Sequence, residues 1–146
     1  MKRLIFIFLA ISLISCETEN AGFEVVDVEK FTIQLPKTWN ASIQQGYDSF
    51  VGQIETKDNQ VITFDLGWYS DRLDVDPAEH DINLMIIDNK KAKSVRPKNF
   101  GQGTTGVYFD SLEVTKSNKF QMSGNNLSSY NQKLLLKVVG SLEFKD

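Results

Sequence analysis

The sequence lacks the residues that several classes of protein require. Cys16 is the only cysteine and His80 the only histidine among 146 residues, so neither an internal disulfide nor a site with two imidazoles can form. With three prolines, nine glycines and 41% hydrophobic residues, the composition is neither collagen-like nor typical of a disordered chain. No run of 18 apolar residues is present, so no segment is expected to span a bilayer as a helix. The length fits one globular domain.

The first sixteen residues have the pattern of a bacterial export signal. Lys2 and Arg3 precede a segment, 4–14, that is apolar except for Ser12. At about 1.5 Å per residue, this segment is too short to cross a hydrocarbon core of about 30 Å. It is typical of the central region of a cleaved signal peptide. The residues that end it, Leu13-Ile14-Ser15-Cys16, resemble the lipobox of bacterial lipoproteins.

This resemblance implies that Cys16 carries a diacylglyceryl group and an acyl chain and becomes the mature N-terminus. Two or more acyl chains hold a protein stably at a membrane, because each buried CH₂ group contributes about 0.8 kcal/mol to the binding free energy. We therefore expect a signal peptide at 1–15, a lipidated N-terminus and tether at 16–22, and one globular domain at 23–146. The acidic tether resembles the sorting signals of some outer-membrane lipoproteins. We therefore expect the protein at the outer membrane of the bacterial cell envelope, in either leaflet. The alternative is an ordinary cleaved signal with an incidental cysteine.

The charge balance restricts the partners of the mature chain. Loss of residues 1–15 would leave 14 basic and 19 acidic side chains, a net charge of −5. An acidic protein is a poor fit to a nucleic-acid partner. It also gains little from anionic lipid through charge, so membrane association would depend on the lipid on Cys16.

Alternating apolar residues predict a mainly antiparallel sheet. Phe31, Ile33 and Leu35 alternate with polar residues before Pro36, which predicts a half-buried strand. Runs at 50–55 and 61–69 flank a turn-like segment and predict a hairpin. On its second strand one face is shared by Ile62, Phe64, Leu66 and Trp68. Further strands are predicted at 39–44, 82–87, 91–96, 107–114, 120–123 and 141–144, with an Asp88-Asn89 turn before the third of these.

Two segments carry signals for the start of a helix. Asp76-Pro77-Ala78-Glu79 predicts a single helical turn before the strand at 82–87. Near the C-terminus, Ser129 with Gln132 has the pattern of a capping box, and Gly140 ends the run. The spacing between them predicts an amphipathic helix of about three turns, with an apolar stripe of Tyr130, Leu134, Leu135, Val138 and Val139.

The segment Phe31–Trp39, with its P-x-x-W turn, resembles the opening strand of PsbP-like domains, and Ser129–Phe144 is similar to the way those domains end. Segments 47–52 and 64–70 also resemble short envelope lipoproteins of unassigned function. The resemblance covers most of 23–146 and implies an α+β fold, an α/β/α sandwich around a mainly antiparallel sheet. It implies little about activity, because this fold serves mainly as a binding scaffold. No manganese or photosystem role carries over, because no ligand residue of the family matches a position here.

Four candidate binding residues lie around the predicted hairpin. Asp48 and Asp65 could meet beside Trp68 and Tyr69 to form an acid/base pair or a sugar-binding platform. Asp48 is equally suited to a turn, and Asp65 could equally lie on the solvent face.

An acidic segment follows at 71–81, with five carboxylates: Asp71, Asp74, Asp76, Glu79 and Asp81. Such a density could hold Ca²⁺, but the spacing differs from an EF-hand loop, so we expect a solvated loop without metal or other cofactor. A basic segment at 90–98 contains Lys90, Lys91, Lys93, Arg96 and Lys98. These cations could bind phosphate or the acidic face of a partner, but we expect them to protect an exposed edge strand from pairing, with Ala92 facing inward.

The run Gly101–Gly106 matches the pattern G-x-G-x-x-G. A dinucleotide site requires a helix after this pattern and an acidic residue about twenty positions further on. A strand is predicted from Val107, and no acidic residue lies at 121–126. We therefore expect a loop between strands and no bound nucleotide. His80 is expected to be exposed.

The sequence thus predicts a non-catalytic binding module on a lipid anchor, because no pairing of a nucleophile with a base is visible. An alternative is an immunity or inhibitor lipoprotein that presents its acidic segment to the basic cleft of an envelope-targeting enzyme. The enzymatic alternative is a hydrolase that uses Asp48 and Asp65. The ligand, any envelope protein partner and the oligomeric state are left open.

Overall fold

The computed structural model describes residues 22–112 and 118–145. These residues form ten strands and one helix: β1 Phe23–Asp27, β2 Phe31–Pro36, β3 Asn40–Gln44, β4 Phe50–Glu55, β5 Val61–Gly67, β6 His80–Ile87, β7 Lys90–Pro97, β8 Thr104–Phe109, β9 Lys119–Asn125, α1 Ser129–Val139 and β10 Glu143–Phe144. The predicted signal peptide at 1–15, Cys16 and the predicted tether up to residue 21 lie outside the described residues, as does the end of the strand predicted at 107–114.

The strands form two antiparallel sheets. Seven belong to a large sheet in the order β3-β4-β5-β9-β8-β7-β6, and three form a small sheet in the order β1-β2-β10. The α+β class, the mainly antiparallel sheet and the C-terminal helix are therefore confirmed. The described residues contain a single helix, so the second helical layer of an α/β/α sandwich has no counterpart in this part of the chain.

One face of the large sheet, here called the inner face, packs with the small sheet and α1 around a shared core. The alternation in β2 buries Phe31, Ile33 and Leu35, as predicted. The ring of Phe31 lies 5.3 Å from the rings of both Phe64 and Phe120, which joins the two sheets. Complete burial of such side chains is worth about 1.5–3 kcal/mol each, so this contact between the sheets stabilises the fold.

The predicted Asp88-Asn89 turn is confirmed and has a second role. Both residues have positive φ, 47° and 57°, as a tight two-residue hairpin loop requires. The Asp88 carboxylate accepts a hydrogen bond from Lys90 Nζ at 2.9 Å and from the Phe144 amide at 3.0 Å. The bond from Lys90, and then that from Phe144, lower the pKa of Asp88. The turn thereby ties β10 to the β6–β7 hairpin.

The helix differs from its predicted register by one residue. Its N-cap is Ser128, whose hydroxyl accepts a hydrogen bond from the Asn131 amide at 3.2 Å, and Ser129 is the first helical residue. Gly140 ends the helix as predicted, with φ −67°, so no left-handed conformation is needed. The predicted stripe is wrong at Tyr130, which is exposed. The buried face consists of Asn131, Gln132, Leu135, Val138 and Val139.

The buried face of the helix is centred on Asn131 and not on Tyr130, because the Asn131 side-chain amide binds the loop between β4 and β5. Its Nδ2 donates to Asp58 Oδ1 at 2.6 Å and to Gln60 Oε1 at 2.8 Å. Gln60 Oε1 also accepts from the Ser128 amide at 2.9 Å. The Thr56 hydroxyl donates to Asp58 at 2.7 Å, and the bonds from Thr56 and Asn131 lower the pKa of Asp58. This network holds the start of the helix against the hairpin loop.

Candidate functional site

The face of the large sheet opposite the shared core, here called the outer face, is crossed by the loop at 68–79. Leu73 of this loop is buried against Val95 and Tyr108. Ser70 fixes the start of the loop, since its hydroxyl donates to the Asp65 carbonyl at 2.9 Å and accepts from the Gly67 amide at 3.1 Å. The loop therefore covers only part of the outer face.

A groove of about 510 Å³ lies between this loop and β6. Its size is within the range of about 300–1,000 Å³ typical of small-molecule sites. The strand pairing places Leu84, Lys93 and Tyr108 in one row across β6, β7 and β8. The groove is lined by Arg72, Asp74, Leu84, Met85, Ile86, Lys91, Ala92, Lys93, Tyr108 and Asp110.

Two polar pairs organise the groove. The Tyr108 hydroxyl donates to Asp110 at 2.8 Å, and Lys93 Nζ donates to Asp74 at 3.1 Å. The Lys93 ammonium also lies 5.5 Å from the centroid of the Tyr108 ring. Burial, with the Asp110 carboxylate as hydrogen-bond partner, raises the pKa of Tyr108 to about 12. Tyr108 therefore keeps its proton at neutral pH and acts as a hydrogen-bond donor.

The groove also carries two cations without a carboxylate partner. Neither Arg72 nor Lys91 forms an ion pair within residues 22–112 and 118–145. Of the charged residues that line the groove, three are cations, Arg72, Lys91 and Lys93, and two are carboxylates, Asp74 and Asp110, which leaves a net local charge of +1. The local positive charge contrasts with the net charge of −3 of the whole chain. It favours a ligand with an anionic group.

The wall of the groove formed by β6 is apolar. Leu84 is 87% exposed and Ile86 is 64% exposed, and both project to the same face as Ile82. Large apolar side chains exposed together are unusual on a soluble surface and mark interaction sites. The groove thus combines an apolar wall with unpaired cations.

The basic segment does not protect an edge, and this part of the sequence-based interpretation is wrong. Its strand, β7, lies between β6 and β8, because β6 adds a further strand outside it. Ala92 is buried, as predicted. Two of its cations bind the acidic segment instead: Lys93 contacts Asp74 at 3.1 Å, and Arg96 contacts Asp81 at 3.0 Å.

Two further carboxylates of the acidic segment cap local turns. Asp71 accepts from the Leu73 amide and Asp76 from the Ala78 amide, each at 2.8 Å. The single turn predicted after Asp76 is confirmed, and β6 follows it directly. No group of three or more metal-ligating side chains occurs in the described part of the chain.

Asp48 and Asp65 lie on neighbouring parts of the β4–β5 pair, without a hydrogen bond to each other in the described ranges. Asp65 lies on the outer face opposite Val51 and Gln121, and its Oδ1 is buried without a hydrogen-bond partner in the described ranges. Asp48 is exposed in the turn before β4. The two carboxylates of a hydrolase lie about 5–9 Å apart and need no direct contact, so the pairing of Asp48 with Asp65 stays a prediction.

Trp68 and Tyr69 are exposed in the turn after β5, at 58% and 79%. The prediction that Trp68 lies on one strand face with Ile62, Phe64 and Leu66 is wrong, because the strand ends at Gly67 and the chain turns there. The two rings lie outside the groove lining and remain a separate aromatic surface.

His80 is buried, contrary to expectation, with 8% exposure. Its Nε2 accepts from the Thr104 amide at 3.1 Å, and its Nδ1 lies 3.2 Å from the Asp76 carbonyl oxygen. An accepting Nε2 requires a neutral ring with its proton on Nδ1. His80 therefore connects the start of β6 to the start of β8, and it is a structural residue.

The glycine pattern at 101–106 is explained by this contact. Gly101 and Gly103 have φ of 75° and 78° in the turn between β7 and β8. A Cβ at Gly103 would lie 2.5 Å from His80 Nε2. A strand, β8, begins at Thr104, as the alternation from Val107 indicated, although the strand starts earlier than predicted.

Sequence reasoning missed six groove residues: Arg72, Leu84, Met85, Ile86, Tyr108 and Asp110. A usable signal was the segment 82–87, which is too densely apolar for a strand with one solvated face. Tyr108 gave a weaker signal, because it alternates with Val107 and Phe109, so it faces the opposite side of the sheet from them.

No protein-family model matches the chain, and no curated protein matches it. In the ranges that the structure describes, no helix is long and apolar enough to cross a membrane.

Proposed function

We propose that this protein is a lipid-anchored lipoprotein of the bacterial cell envelope whose domain acts as a non-catalytic binding module. The anchor is supported by the lipobox-like residues 13–16 and the short apolar segment before them. Phe23, the first residue of β1, follows Cys16 by seven residues. At no more than about 3.6 Å per residue, the domain would lie within about 25 Å of the lipid. The outer membrane is the proposed location.

The groove on the outer face carries the binding proposal. Its shape is held by packing of the 68–79 loop and by two internal polar pairs, so it is formed before a ligand arrives. An apolar ligand body would lie against Leu84 and Ile86, and an anionic group would lie near Arg72 and Lys91. The high pKa of Tyr108, about 12, favours binding over proton transfer, since an efficient base titrates near the working pH.

Binding of 8-anilinonaphthalene-1-sulfonate tests this proposal, because the probe joins an apolar body to a single anionic group. Fluorescence titration of the full-length Cys16→Ser chain is compared with the same chain carrying Arg72→Gln and Lys91→Gln. We expect affinity to fall about two- to thirty-fold, since partly exposed ion pairs contribute about 0.2–1 kcal/mol each and the variant removes two cations. Tyr108 and Asp110 stay unchanged in this variant.

The matched control is Lys30→Gln with Lys37→Gln, which also removes two cations but from exposed positions outside the groove. It should bind the probe as the parent does. Equal binding by the groove variant and the parent, or an equal loss in the control, would contradict the assignment of the groove.

We also propose that the domain is PsbP-like. The two segments that carry the resemblance are hydrogen-bonded neighbours, because β10 pairs with β2. The P-x-x-W turn forms, with the Trp39 amide donating to the Pro36 carbonyl at 2.8 Å. An experimentally determined structure with this strand order, superposed on a PsbP-like domain, tests the assignment.

The immunity alternative has less support. It would use the acidic segment, in which Asp74 and Asp81 remain partly exposed but already form ion pairs with Lys93 and Arg96 that a basic cleft would have to displace. The structure therefore favours the groove over the acidic segment as the contact surface.

A further inference from the structure

β6 is the last strand of the large sheet and leaves one edge without a neighbour in the described part of the chain. It is eight residues long, and its segment 82–87 contains no charge, proline or glycine. Natural edge strands usually carry such features, because an unprotected edge offers its backbone N–H and C=O groups to another chain. β6 instead exposes Ile82, Leu84 and Ile86 along one face.

We propose that β6 pairs with β6 of a second copy of this chain, antiparallel and about a two-fold axis at Leu84. The sequence of the strand is symmetric in this arrangement. Leu84 faces Leu84 of the other copy, and Ile82 faces Ile86. Residues two apart share a face of a strand, so all six side chains meet on the outer face. The two sheets become one sheet of fourteen strands, with both copies of α1 on the same side.

The charges near the strand fit the same pairing. Like charges that lie directly opposite each other destabilise paired strands. In this pairing Asp81 faces the apolar Ile87 of the other copy, so that repulsion does not arise. The inner-face pair is Asn83 with Met85, which are both exposed in the single chain. The strand is therefore complementary to itself along the length of the pairing.

The area indicates a weak dimer. The pairing about Leu84 covers the seven residues 81–87, which extend about 24 Å at about 3.4 Å each, and side chains on both faces give a contact about 20 Å deep, or about 500 Å² per copy. The total of about 1,000 Å² is at the lower limit for a specific interface. Confinement to a membrane would raise the local concentration of copies. This argument, the oxidising compartment used for cross-linking and the purification from membranes rest on the proposed lipid anchor, which fatty-acid labelling tests separately. Leu84 and Ile86 also line the groove, so the grooves of the two copies become continuous.

Disulfide cross-linking tests the register in whole cells that express the full chain. Leu84→Cys should give a covalent dimer on a non-reducing gel, because directly opposite Cβ atoms lie about 4.5–5.5 Å apart, close to disulfide geometry. Ile82→Cys alone should not, because its two copies would lie about 14 Å apart along the strands. Co-expressed Ile82→Cys and Ile86→Cys chains with different tags should cross-link to each other.

Two controls accompany this experiment. The unaltered chain reports any cross-linking through Cys16, and Val25→Cys places a thiol at an exposed position of β1, an edge strand of the small sheet. Dimer formation by Leu84→Cys at least five-fold above that of Val25→Cys supports the pairing. Equal cross-linking at the two positions, or cross-linking of Ile82→Cys alone as strong as that of Leu84→Cys, overturns it.

Leu84→Lys provides a second measurement. The side chain is 87% exposed, so the substitution leaves the fold intact, but it places two cations opposite each other at the two-fold axis. Two differently tagged copies should then no longer purify together from membranes. Unchanged co-purification refutes the proposal. The test of the groove uses Arg72 and Lys91, which lie outside this pairing, so the two proposals can fail separately.

Discussion

Replacing Asn131 by alanine removes the contact between α1 and the β4–β5 loop. Asn131 is buried and donates to the ionised Asp58 carboxylate at 2.6 Å and to the neutral Gln60 amide oxygen at 2.8 Å. A hydrogen bond to a charged group contributes about 1.5–3 kcal/mol and a neutral one about 0.5–1.5 kcal/mol. Asp58 is exposed, so water replaces part of its bond. We expect a loss of about 2–4 kcal/mol in the free energy of unfolding.

Urea unfolding of the full-length Cys16→Ser chain measures this loss, followed by the fluorescence of the two tryptophans and by far-UV circular dichroism. The midpoint should fall and the slope should stay constant, because the surface exposed on unfolding hardly changes. Asn83→Ala is the matched control, since this asparagine is exposed on β6. It should change stability by less than about 0.5 kcal/mol.

The pH dependence gives a second check on the same contact. Hydrogen bonds from Thr56 and then Asn131 lower the pKa of Asp58 in the folded protein. A lowered pKa stabilises the fold above the unfolded value of about 3.9, and this stability is lost as pH falls through the folded pKa. The variant lacks part of this effect. The difference between parent and variant should therefore narrow from about pH 5 to about pH 3.

Two results would refute this reasoning. A loss no larger than that of Asn83→Ala would show that the network does not hold the helix to the loop. A difference that stays constant or widens below about pH 4 would show that the bond from Asn131 does not favour the ionised carboxylate.

Two further predictions concern the anchor and the groove. Cys16→Ser should abolish incorporation of a radiolabelled fatty acid in cells, because the thiol is the only expected acceptor, and label that persists would contradict the lipoprotein proposal. In an ultraviolet titration, one of the four tyrosines should ionise near pH 12, and Tyr108→Phe should remove that step. Because burial raises the folded pKa above the unfolded value of about 10, this group stabilises the fold below pH 10 and loses that effect as pH rises towards 12. A late step that survives in the variant would contradict the assignment.

Most of the secondary structure could be predicted because its signals are local. The β4–β5 hairpin, the turn after Asp76 and the Asp88-Asn89 loop follow from side-chain period and from the turn chemistry of neighbouring residues. The helix was predicted with its end correct and its start one residue late. This error has a physical reason. Ser128 and Ser129 both suit an N-cap, and only the tertiary contacts of Asn131 select Ser128.

The interpretation of the basic segment failed because the position of a strand within a sheet is not a local property. Lysines that alternate along a strand are typical of a protected edge, but β6 returns along β7 and becomes the edge itself. His80 failed for the same reason. Its burial depends on Gly103 and Thr104, which lie more than twenty residues away in the sequence.

The sequence by itself determined which residues alternate, where the chain turns and the basis for expecting a lipid on Cys16, because each of these depends on neighbouring residues. Only the tertiary structure decided where a binding surface forms. Leu84, Lys93 and Tyr108 become neighbours through the strand order β6-β7-β8. Periodicity separates the two faces of each strand, but it does not show which face the 68–79 loop leaves open, since that depends on contacts between distant parts of the chain.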